Sequence, residues 1–155
     1  MIVVADATPL IALLDTGRIG LLQSLYREVL IPPAVRDESF SLPGRTLPAW
    51  FRVQSPRLPI PGNVLEARLG QGETEAIALA LDVRAELLLV DDRQARGVAR
   101  RMGLSTAGTV SVLIRAKETG LISTLKPLLD GLVGTGFRIS ETLYRDALAR
   151  VGESL

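Results

Sequence analysis

Short aliphatic runs that end in acid constrain this chain more than any other feature. Val3-Val4-Ala5 leads into Asp6, and Leu87-Leu88-Leu89-Val90 leads into Asp91-Asp92. Aliphatic runs this short, bounded by turn chemistry, read as strands buried on both faces, as in a parallel sheet covered by helices. In open α/β sheets, ligands bind where strand C-termini open onto loops. Both runs therefore deliver carboxylates to the rim where chemistry usually sits.

The segments between the runs read as helices. Thr8-Pro9 predicts a helix start, with Thr8 as N-cap, Pro9 at the first helical position and Leu10, Ile11, Leu13 and Leu14 as its buried face. A short helix follows over 19–26, a strand over 28–31, and a helix from Pro32-Pro33 to about Glu38. Residues 39–62 hold five of the nine prolines and read mostly as loop, with a third strand over 49–53. Beyond Gly72 come a helix over 73–81, a strand over 86–90, an Arg-studded helix over 92–102 and a short strand over 104–106. Helices over 109–117, 123–132 and 140–151 complete the chain. Strands alternating with helices predict one α/β domain over 1–155. It is a three-layer α/β/α sandwich with a central parallel sheet of about five strands.

Composition removes whole classes of chemistry. With no cysteine and no histidine, disulfides, thiolate or imidazole metal sites and Ser-His-Asp triads are impossible. Any metal must be held by oxygen, which favours Mg²⁺ or Mn²⁺. A formal net charge of +1 neither demands nor excludes nucleic acid, so any basic surface must be local. No run approaches the roughly 18 apolar residues of a membrane span, and Asp6 interrupts the N-terminal apolar stretch as no signal peptide would allow. No membrane partner is expected, and a cytoplasmic protein is the default.

Each acid has an ordinary reading beside a functional one. With Thr8 filling the cap, Asp6 is left over, and a buried strand-end carboxylate without a partner is costly. Glu38 falls in the last turn of its helix, where the dipole disfavours acids; a solvated surface position is the other reading. Glu73 and Glu75 sit in a first helical turn, where acids belong for dipole reasons alone. Of Asp91 and Asp92, one can cap the following helix, and the pair exceeds what capping needs. Together the strand-end acids point to a metal-binding, phosphate-directed site.

The segment Val3-Val4-Ala5-Asp6-Ala7-Thr8-Pro9-Leu10 resembles the opening of PIN-domain proteins: a strand, an Asp, then Ser or Thr two residues on. Ile31-Pro32-Pro33-Ala34-Val35-Arg36-Asp37-Glu38 resembles the PIN segment with the second acid, placed at Glu38. Gly72-Glu73-Thr74-Glu75-Ala76 resembles the helix with the third, and Leu88-Leu89-Val90-Asp91-Asp92-Arg93 the strand end with the fourth. The whole chain is similar to the PIN-like family DUF3368, through Gly103-Leu104, Gly108-Thr109, Ala116-Lys117, Gly120-Leu121-Ile122, Gly136-Phe137-Arg138-Ile139-Ser140 and Gly152-Glu153. The third acid is Glu73 where many PIN domains have Asp, and Leu89 stands where Thr or Ser is usual. The register that selects Glu73 also selects Asp91, with Asp92 as the alternative ligand.

The resemblance implies that Asp6, Glu38, Glu73 and Asp91 meet in one pocket, with Thr8 in support, and bind one or two Mg²⁺ or Mn²⁺ ions that promote RNA hydrolysis. It also implies a homodimer, and a toxin neutralised by a small antitoxin. The alternative is a PIN-fold module that binds nucleic acid or protein with little catalysis. Arg93, Arg96 and Arg100 share one helix face beginning at the acidic rim, where they would hold RNA phosphates; a solvated helix face explains them equally well. The aromatic residues look scattered, without a stacking platform. Asp6-Ala7-Thr8 lacks the second acid of haloacid-dehalogenase-type phosphatases, and neither a P-loop nor a dinucleotide fingerprint is present.

Overall fold

A computed structural model describes residues 1–155. Strands β1 (Val3–Ala5), β2 (Val29–Ile31), β3 (Phe51–Val53), β4 (Leu87–Leu89) and β5 (Thr106–Ala107) form one sheet, in the order β3-β2-β1-β4-β5. Every pairing is parallel, and Val4 lies opposite Leu30 on one side and Leu88 on the other. The first strand made is therefore the central one. Its residues are fully buried, as are Leu88 and Leu89, which is why both runs are aliphatic throughout rather than alternating.

Nine helices connect and cover the strands: α1 (Ala7–Asp15), α2 (Gly20–Tyr26), α3 (Pro33–Phe40), α4 (Gly62–Glu66), α5 (Gln71–Asp82), α6 (Arg93–Arg101), α7 (Thr109–Glu118), α8 (Lys126–Gly134) and α9 (Glu141–Arg150). From β1 the chain steps outward to β3, crosses back to β4, and steps out to β5. Right-handed crossovers put α1–α3 on one face and α4–α6 on the other. Around the sheet α1 meets α3 and α7, α5 meets α4, α6, β1 and β4, and α3 and α5 pack on each other. The expected three-layer sandwich is what the chain forms. No helix is long and apolar enough to cross a membrane.

Several boundaries differ from the sequence reading. Helix α1 starts at Ala7 with Asp6 at the N-cap position, so Thr8 lies inside the first turn and is not the cap. Helix α5 starts at Gln71, which places Gly72 within it rather than before it. The proline-rich segment runs into a short helix, α4, with Pro61 at its N-cap and its own Val64 fully buried. The last strand pairs at Thr106–Ala107, two residues later than expected. Phe40, Trp50 and Phe51 are not scattered. They pack together beside β3, with ring centroids 5.4 Å apart for Phe40–Phe51 and 4.3 Å for Trp50–Phe51.

Two further details bear on stability. The Ser39 side chain on α3 is fully buried, and its hydroxyl has no hydrogen-bond partner. Near the C-terminus, the Glu153 carboxylate accepts hydrogen bonds from the Leu125 amide (2.6 Å) and the Lys126 amide (3.1 Å), closing the N-terminal end of α8. Those bonds, the Leu125 amide foremost, hold the Glu153 carboxyl below its ordinary range.

Candidate active site

The strand order reverses between β1 and β4, and there an open parallel sheet leaves a crevice at its C-terminal edge. Asp6 follows β1 directly and Asp91 lies just beyond β4. Only 3% of Asp6 is exposed. It occupies the N-cap position of α1, yet its side chain makes no capping hydrogen bond, so its carboxyl is left over for a reason other than the one Thr8 suggested. Burial pushes its pKa up to about 7, against the pull of the Ala7 amide, and the Glu73, Glu38 and Asp91 carboxylates push the same way. An acid whose charge is opposed from four directions is half-protonated near neutrality unless a cation joins it.

The other acids approach it on separate elements. Glu38, exposed in the last turn of α3, lies against α5 where Gly72 leaves room: a Cβ there would collide with Glu38 Oε1 and come within 3.1 Å of Glu38 Cδ. Glu73 reaches back along α5, accepting a hydrogen bond from the Gly70 amide at 3.2 Å. Burial raises its pKa, as do Asp92 and Glu38. Asp91 has both oxygens engaged. Thr109 donates its amide to Oδ1 at 2.8 Å and its hydroxyl to Oδ2 at 2.6 Å. Burial raises the Asp91 pKa, while the Thr109 hydroxyl and amide and the Arg96 guanidinium oppose it. Asp92 is exposed and caps α6, accepting from the Ala95 amide at 2.9 Å. The adjacent acids thus divide their work, one turned inward and one capping.

These groups line a continuous trough. Its inner hollow, about 300 Å³, is bounded by Asp6, Thr8, Glu38, Gly72 and Glu73. The outer hollow, about 700 Å³, is bounded by Thr8, Glu73, Asp91, Asp92, Arg93 and the segment Gly136–Arg138. Thr8 and Glu73 belong to both. The four acids therefore gather at one rim but divide between two adjoining hollows. As they stand, no three carboxylates converge closely enough to hold a metal ion. The donor set still suits a hard divalent cation: every side-chain donor is oxygen, and Asp6 is a buried carboxyl lacking the charge that would stabilise it.

The Arg stripe divides as well. Arg93 lines the outer hollow. Arg96 puts its charge near Asp91 without an ion pair, and Arg100 donates from Nε to Thr106 Oγ1 at 3.1 Å, so of the three only Arg93 lines the hollow. Sequence reasoning gave no site role to Thr109, Gly108 or Gly72. A Cβ on Gly108 would sit 2.7 Å from Asp91 Oδ1, so this glycine, like Gly72, makes room for a carboxylate. The available signal was positional: Gly-Thr opening a helix just after the strand beside β4 puts backbone and hydroxyl donors at the end of β4.

Compared with known families, the chain matches the model of DUF3368, described as a PIN domain, over residues 2–153. No curated protein matches it.

Proposed function

The chain belongs to the PIN-domain family DUF3368, and from that premise we propose that it is a Mg²⁺- or Mn²⁺-dependent endoribonuclease. The observation that carries this reading is Asp6: a carboxyl 3% exposed, at the sheet's switch point, with its pKa near 7 and three other acids raising it. In this proposal Asp6, Glu38 and Glu73 hold the ion, with Asp91 on its far side and Asp92 in reserve at the outer hollow. A bound divalent ion supplies water activation and charge stabilisation at a phosphodiester. Thr109 holds Asp91 in a fixed orientation through two hydrogen bonds. Gly72 lets Glu38 reach the inner hollow. Thr8, exposed at the saddle between the hollows, is placed to orient water or a phosphate oxygen.

The family also motivates the biological role: the toxin of a toxin–antitoxin pair, working as a homodimer and neutralised by a small antitoxin. One observation favours a second reading, a PIN-fold binding module with little catalysis. Asp91 spends both oxygens on Thr109, and no three acids converge. Calorimetric titration with Mn²⁺ separates the two. The nuclease reading expects binding that is lost in Asp6→Asn and weakened in Asp91→Asn, with RNA cleavage following the same order. Absence of Mn²⁺ binding to the wild type would sink it and leave the binding module.

A further inference from the structure

We propose that Phe137 and Arg138 form the substrate-positioning wall of the trough. Phe137 stacks an unpaired base and Arg138, with Arg93, clasps the phosphates of single-stranded RNA. This rests on the nuclease reading for its location but not for its test.

The wall is built by helix-end chemistry. Helix α8 ends at Gly134 with Thr135 as its C-cap, and the chain turns away at Gly136, whose φ of +95° lies in the left-handed region that favours glycine. The Gly136 amide then donates to the Val133 carbonyl at 3.0 Å and the Phe137 amide to the Leu132 carbonyl at 3.1 Å. This pair of bonds is the Schellman arrangement, which fixes the direction of the residue after the glycine. A few residues on, Ser140 caps α9 by accepting from the Leu143 amide at 3.1 Å. The segment between is therefore pinned at both ends.

Phe137 is half-buried: one part of the side chain packs against the hydrophobic core, and the rest borders two hollows. One is the outer trough with Glu73, Asp91 and Asp92; the other is a smaller recess lined by Thr8, Ile11 and Ala12. It is the one aromatic side chain at the acidic rim. Arg138 and Arg93 flank the same hollow, and neither takes part in any of the protein's ion pairs. A fixed aromatic surface with two unpaired guanidiniums beside it is the combination that binds single strands: every base has a face to stack, and every linkage has a charge. A base inside a duplex offers no free face, so the wall selects unpaired RNA.

The test is fluorescence anisotropy with a short unstructured labelled RNA in EDTA, where cleavage cannot compete. Phe137→Leu keeps the apolar contact at the helix end and removes the ring. It should weaken binding roughly tenfold or more while the protein stays folded at the assay temperature, whereas Phe137→Trp should retain affinity. Arg138→Ala should flatten the salt dependence by about one phosphate contact. Wild-type affinity in Phe137→Leu, equal binding of a duplex, or no binding of single strands would each overturn the proposal. Phe137-dependent binding without Mn²⁺-stimulated cleavage would remove the nuclease reading and keep the wall. Cleavage with a KM indifferent to Phe137→Leu would do the reverse.

Discussion

Asp6→Asn should make the metal-free protein more stable, and only above a certain pH. In the unfolded chain Asp6 loses its proton near its ordinary pKa of 3.8; in the folded protein it holds the proton until about pH 7. Between those values the unfolded state binds fewer protons, so stability falls as pH rises. At 1.36 kcal/mol per pH unit, the full penalty is about 4 kcal/mol, reached above pH 7 and absent below pH 4. Asn keeps the shape and never ionises. In EDTA the two proteins should melt together near pH 4. At pH 8 the variant should melt higher, by up to about 8–16 °C at the usual sensitivity of a domain this size. Mn²⁺ should then raise the wild type alone, by about 2.7 kcal/mol at a hundredfold excess over Kd. Thermal melts followed by circular dichroism across this pH range decide the matter. Parallel curves for the two proteins would refute the claim that Asp6 is buried without a compensating charge.

Three other substitutions test separate parts of the structure. Gly72→Ala displaces only the flexible end of Glu38 while favouring the helix by about 0.5–1 kcal/mol; calorimetry and melting should show weakened Mn²⁺ affinity with stability unchanged or improved. Ser39→Ala removes a buried hydroxyl that has no partner, so denaturant unfolding should show a gain of up to about 1 kcal/mol rather than the usual loss. Glu153→Ala leaves the Leu125 and Lys126 amides unanswered, at a cost of about 1–2 kcal/mol in urea unfolding. Because the Glu153 pKa is lowered in the folded state, its contribution is present above the ordinary Glu range and fades as pH drops through the folded value.

The strands were legible because a parallel sheet buried on both faces demands unbroken aliphatic runs, and Val3–Ala5 and Leu87–Leu89 have them. Helix starts were less so. Asp6 and Thr8 are both good N-cap residues, and sequence cannot say which one turns the chain; the buried end of β1 settles it at Asp6. Helix α4 was hidden by prolines around it, since Pro61 marks a helix start as readily as a loop. The acids of the rim could be named, but not their division between two hollows, because the Thr109 bonds and the Glu38–Gly72 contact join distant segments. The Arg stripe shows the limit of helical periodicity: Arg93, Arg96 and Arg100 share a face, yet only Arg93 lines the trough. Phe137 looked isolated because its position depends on how α8 ends.

The central place of β1 also sets a timetable. On the ribosome β1 is made before the other strands of the sheet, but its second neighbour, β4, follows only after β2, β3 and five helices. Until then one edge of β1 is unpaired, and an unfinished chain carries an apolar strand open to wrong partners. Asp6 cannot meet Asp91 in any fragment that stops short of β4. Phe137 arrives later still, and Glu153, which fastens the start of the helix that presents it, follows Phe137. A fragment that ends before α8 therefore carries the four acids of the rim without the wall that Phe137 and Arg138 supply.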